Sequence, residues 1–125
     1  QKPGGFYMTI KLKKNNSVYV IELDGELDLY NAYKVKTLYT KMAEKGINSI
    51  ILDLANLDYL DSSGLGSIIY IFSDLKKHNG KMSLCHLNGS PKNLIQMTRL
   101  DKLFLIGDTL DECVEQVKIA WAILL

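Results

Sequence analysis

The run Ser49-Ile50-Ile51-Leu52-Asp53-Leu54 constrains this chain more than any other stretch. Its apolar residues are nearly consecutive, with neither the alternation of a half-exposed strand nor the three-to-four spacing of a surface helix. A strand that is apolar on both sides must be covered on both faces, the condition of an inner strand in a parallel sheet. Parallel strands need long crossovers, usually helical, and the flanking sequence supplies them. Upstream, over residues 32–43, Ala32, Val35, Leu38, Tyr39 and Met42 recur at helical spacing, and Gly46 stops the helix after a basic end. Downstream, Leu65, Ile68, Ile69, Phe72 and Leu75 mark a second helix ending near His78-Asn79-Gly80.

The remaining elements follow from turn and cap chemistry. Residues 9–13 and 18–24 are β-rich and joined by Lys14-Asn15-Asn16-Ser17, which predicts an opening hairpin. Residues 81–85 form a further short strand. Ser90 directly before Pro91 predicts an N-cap and first helical residue for a third helix running to about Thr98. Residues 103–106 read as the last strand. Thr109-Leu110-Asp111-Glu112 has the form of a capping box, and behind it Leu110, Cys113, Val114, Val117, Trp121 and Leu124 make one helical stripe. The expected order is β-β-α-β-α-β-α-β-α, a single α/β domain with a mixed, mostly parallel sheet and packed helices. With 125 residues the chain suits one domain. Residues 1–7 are expected to be a disordered leader or cloning remnant, and residues 8–125 the domain.

Composition works by exclusion. Fifteen Lys and Arg against 14 Asp and Glu leave a formal charge of +1, so no basic footprint for nucleic acid or anionic lipid is present. No apolar stretch reaches the roughly 18–20 residues that span a bilayer, so no direct membrane insertion is expected. Cys85 and Cys113 read as buried thiols, not as ligands or a disulfide, which fits a reducing cytoplasm. His78 and His86 are the only candidate histidine bases, and neither belongs to a visible nucleophile–base–acid set. No catalytic residue, cofactor or metal is expected.

The segment richest in chemistry is Leu57-Asp58-Tyr59-Leu60-Asp61-Ser62-Ser63-Gly64-Leu65-Gly66, between the central strand and the second helix. Loops beyond the carboxyl ends of strands are where open α/β sheets usually meet ligands and partners. Asp61 or Ser62 suits an N-cap, and Ser63 then lies in or beside the first turn, where free N–H groups and the helix dipole favour an anion. Gly64 and Gly66 remove bulk. Two readings stay open on spacing alone, an ordinary helix cap or a phosphate-bearing site. A P-loop and a Gly-x-Ser-x-Gly nucleophile are both absent. Tyr59 beside this loop suits a partner surface.

Asp61-Ser62-Ser63-Gly64-Leu65-Gly66 resembles the signature of the anti-sigma factor antagonists of the STAS domain family. The likeness extends to Asp24-Gly25-Glu26-Leu27-Asp28, to Ile51-Leu52-Asp53-Leu54 and to Leu100-Asp101-Lys102-Leu103-Phe104. The resemblance implies a bacterial, cytoplasmic regulator that is not an enzyme. It implies that Ser63 is phosphorylated by a partner serine kinase, which is itself the anti-sigma factor. The unmodified antagonist would bind that kinase and free a sigma factor, phosphorylation would abolish binding, and a PP2C-type phosphatase would restore it. Asp28, Asp61, Ser62, Gly64 and Gly66 are then the supporting or partner-contact residues, with Asp28 and Asp61 equally readable as helix caps. The same family includes accessory or scaffold subunits of transporters and sensory complexes, which need no phosphoserine. The apolar tail, residues 117–125, suggests packing of the last helix or a homodimer surface.

Overall fold

The structure is a computed structural model that describes residues 7–124, with side chains described as far as Lys118. Residues 1–6 of the expected leader, and the side chains of tail residues 119–125, read as core packing or a homodimer surface, lie outside the described residues. The elements in chain order are β1 (Met8–Asn15), β2 (Val18–Leu27), α1 (Ala32–Glu44), β3 (Ser49–Asp53), β4 (Leu57–Leu60), α2 (Ser62–Lys77), β5 (Lys81–Cys85), α3 (Gly89–Met97), a 3₁₀ turn (Leu100–Lys102), β6 (Leu105–Gly107) and α4 (Leu110–Leu124).

β1 and β2 form the expected antiparallel hairpin, turned at Asn16 in the left-handed region (φ 58°). All other pairings are parallel, and the sheet runs β1-β2-β3-β5-β6 with β4 attached to β2. β3 is central, as its composition requires. Ile50 and Leu52 point to one face, Ile51 to the other, and all three are fully buried. The first face carries the larger core, with Ile21, Leu23 and Leu84 of the sheet packed against Val35, Tyr39 and Met42 of α1 and Ile68 and Ile71 of α2. The second face is covered by α4, where Cys113, Val114 and Val117 meet Val18, Val20, Ile51 and Cys85. The buried thiols Cys85 and Cys113 therefore pack across from one another, as expected of free cysteines in an apolar layer.

Three details depart from the expected order. β4 is an additional strand, so the order is β-β-α-β-β-α-β-α-β-α. Its four residues are buried only at Leu57 and Leu60, a pattern with no strand alternation to reveal it. The third helix begins at Gly89 with Asn88 at the cap position, and the Ser90 hydroxyl instead donates to the Asp58 carbonyl at 3.0 Å. The last strand is Leu105–Gly107, because Arg99 turns left-handed (φ 64°) and the 3₁₀ turn takes up the residues before Leu103.

β4 matters because it positions the site. β3 pairs with residues 19–22 of β2, and β4 pairs with residues 25–27 further along the same edge, with a register shift between Gly25 and Glu26. Gly25 sits at φ +103°, its N–H donates to the Asn56 carbonyl at 2.9 Å, and a Cβ there would come within 2.4 Å of the Tyr7 carbonyl oxygen. That irregularity carries the chain past the end of β3 and delivers it to the start of α2.

Candidate functional site

Asp61 closes β4 and caps α2. Its Oδ1 accepts from the Gly64 N–H at 2.8 Å, satisfying one of the free donors of the first turn. Its Oδ2 accepts from the Leu29 N–H at 3.0 Å, across the gap between the β2–α1 and β4–α2 connections. One carboxylate therefore caps the helix and ties two loops together. Leu27 completes the joint, its carbonyl accepting from the Asp61 N–H at 3.3 Å.

Gly64 explains why the helix can start this close to the sheet. A Cβ there would lie 2.4 Å from the Leu27 carbonyl oxygen and 2.8 Å from Leu60 Cδ1. Gly66, by contrast, is exposed, and a Cβ there would meet nothing. Of the two glycines, one is demanded by the fold and the other leaves surface room.

Asp28 is buried at 5% exposure and serves its own loop. Its Oδ1 accepts from the Tyr30 N–H at 2.9 Å, while its own N–H donates to Asn31 Oδ1 at 2.9 Å. Asn31 stands at the cap position of α1 and its Nδ2 donates to the Glu26 carbonyl at 2.7 Å. Asp28 thus shapes the loop that Asp61 holds and is not the α1 cap. Sequence reasoning missed Asn31 and Leu29. The spacing Asp28-x-x-Asn31, two side chains that readily bond nearby backbone, was the available signal for the first.

Ser62 is the first residue of α2 and is exposed, whereas Ser63 is half-buried. Neither hydroxyl is taken up by a hydrogen bond described in the structure, unlike Ser67, whose Oγ donates to the Gly64 carbonyl at 2.6 Å. The two connections that meet at this helix start carry exposed apolar side chains. Leu29 and Tyr30 from the β2–α1 loop and Tyr59 from β4 are exposed at 66%, 62% and 46%. A hydroxyl at a helix N-terminus, with exposed apolar side chains on the adjoining connections, can accept a charged group without refolding the domain and can alter what those side chains bind.

The comparisons with known proteins agree with this fold. The family model of the STAS domain matches residues 9–113. An anti-sigma F factor antagonist of Paenibacillus polymyxa is 29% identical over 102 residues, 81% of this chain and 87% of that protein. The crystal structure of the Thermotoga maritima protein TM1081 has a TM-score of 0.82 at 28% identity, covering 87% of this chain and 94% of that one. The Bacillus anti-sigma factor antagonist SpoIIAA, solved in unphosphorylated and phosphorylated forms, shares the fold at 22% identity with a TM-score of 0.70 in both. The match to SpoIIAA covers 88% of this chain, and 98% and 100% of the two SpoIIAA chains.

Proposed function

Because this chain belongs to the STAS domain family, we propose that it is an anti-sigma factor antagonist whose binding is switched off by phosphorylation at the start of α2. In its unmodified form it binds an anti-sigma factor that is also a serine kinase, and so releases a sigma factor. The relatives named as antagonists support the general role. The observation that carries the switch is an Asp61-capped helix start that holds Ser62 and Ser63 beside connections bearing exposed Leu29, Tyr30 and Tyr59.

The sequence resemblance singles out Ser63. Its neighbour Ser62 is the more exposed residue and offers a second hydroxyl at the same helix start. We assign the phosphoryl group to Ser63, with Ser62 as the alternative. A phosphate adds about −1.5 to −2 charges and three acceptor oxygens. At a helix N-terminus the free N–H groups and dipole stabilise it locally. Toward a partner it puts a charge where apolar surface would have to be desolvated. A loss of about 3–4 kcal/mol weakens binding by several hundred-fold. No change of fold is required.

The protein acts as a binding module and not as an enzyme, works in the cytoplasm and is reset by a PP2C-type phosphatase. Among the described residues no helix is long and apolar enough to cross a membrane. Incubation with ATP and the serine-kinase anti-sigma factor of the same genome, followed by fragment mass spectrometry, tests the site. Phosphate on Ser63 is expected. Phosphate on Ser62 corrects the residue, and phosphate on neither overturns the switch.

A further inference from the structure

At the carboxyl ends of β3 and β5, on the α4 face of the sheet, Asp53, Cys85 and His86 bring an oxygen, a sulfur and a nitrogen donor within 4.8 Å of one another. We propose that these three residues form a binding site for a borderline divalent transition metal, of which Zn²⁺ is the chemical type. The parallel register sets Asp53 beside Cys85, so both side chains leave the sheet on the same face. His86 follows Cys85 directly and in an extended strand would point the other way. It stands instead in the left-handed region at φ 58°, a conformation uncommon for a residue other than glycine, and so turns its ring back toward its neighbours. Its Nδ1 lies 3.3 Å from Cys85 Sγ and 3.0 Å from Asp53 Oδ1.

Bond lengths of about 2.0–2.3 Å in a tetrahedral zinc site put neighbouring donor atoms about 3.3–3.6 Å apart. The two distances at Nδ1 are within a few tenths of an ångström of that. The surroundings orient the donors. Asp53 Oδ1 also accepts from the Ala55 N–H at 3.1 Å, and the His86 carbonyl accepts from Asn88 Nδ2 at 2.8 Å. A thiol in the set argues against Ca²⁺ or Mg²⁺, which prefer oxygen. Burial, then the neighbouring Cys113, then the charges of Asp53 and Glu112 push the Cys85 thiol up to about 12. A bound cation reverses that situation, because the same carboxylates attract it and it stabilises the thiolate. On binding, the Cys85 S–H bond breaks and its proton leaves to buffer, the imidazole carries its proton on Nε2, and the Asp53 and Cys85 charges balance the metal's two. The fourth coordination position is left for water.

Titration of the reduced, tag-free full chain with Co²⁺, followed by displacement with Zn²⁺, tests this. The expected result is one equivalent bound per chain, with the intense thiolate-to-cobalt absorption and the visible bands of a tetrahedral site, both lost on adding Zn²⁺. His86→Asn and Asp53→Asn should each weaken binding by about tenfold or more, and Cys113→Ser should leave the spectrum in place. Since Cys85 is buried, Cys85→Ser is read only if it folds, and the two more accessible variants decide the matter without it. Less than one equivalent with no thiolate band overturns the site, as does binding that His86→Asn and Asp53→Asn leave unchanged.

Discussion

At Gly64 the first turn of α2 lies against the end of β2 with no space for a side chain, while two residues on at Gly66 the helix faces open solvent. The two glycines therefore respond oppositely to the same change. Gly64→Ala should destabilise the fold by about 1–3 kcal/mol, because Leu27 backbone rather than a flexible side chain has to yield. Gly66→Ala should stabilise it by about 0.5–1 kcal/mol through helix propensity, and under the proposed function the added methyl should weaken binding to the anti-sigma factor. Urea denaturation measures the first pair of effects and calorimetry with the anti-sigma factor the last. Asp61 has two bonds to lose, to Gly64 and to Leu29. Asp61→Ala should cost about 1–2 kcal/mol as a lost cap and loosen the Leu29 loop, visible as faster amide exchange there.

Elements near the site are joined by single polar contacts that can be cut one at a time. Tyr39 of α1 donates to Asp74 Oδ2 of α2 at 2.6 Å and stacks edge-on against Tyr70, ring centroids 6.2 Å apart. Burial above all, and then the Asp74 hydrogen bond and charge, hold the Tyr39 hydroxyl well above its usual range. The folded state thus keeps its proton where the unfolded chain, titrating near 10, gives it up. This contribution is complete below about pH 10 and is lost as the pH rises above it. Tyr39→Phe should cost about 1 kcal/mol at neutral pH and should flatten the alkaline loss of stability, read from denaturation at stepped pH. At this scale the legibility of the sequence divides by signal strength. β3, α1 and α2 were readable because their apolar periodicity is strong, and the Thr109–Glu112 capping box appears as expected, with Glu112 N–H donating to Thr109 Oγ1 and Thr109 N–H to Glu112 Oε1, each at 3.1 Å. β4 was not readable. It is a strand because Gly25 lets β2 offer a second stretch of the same edge, a tertiary circumstance that four residues cannot announce. Likewise the cap of α2 was visible in Asp61, but its reach to Leu29, 32 residues away, was not.

For the whole molecule, the two faces of the sheet divide the work. α1 and α2 cover the larger core, with Ser62 and Ser63 at the start of α2, while α4 covers the face that carries Cys85 and Asp53. A formal charge of +1 makes one phosphate of about −1.5 to −2 enough to reverse the sign of the net charge, so the modified form should focus at a clearly more acidic point than the unmodified one. The proposed switch is local in structure and global in charge. The most direct test is calorimetric titration of the same-genome serine-kinase anti-sigma factor with the unmodified chain, the kinase-phosphorylated chain and Ser63→Ala. Tight binding by the first and third, with affinity several hundred-fold weaker for the phosphorylated chain, is the predicted result. Equal affinity for the modified and unmodified chains would contradict it.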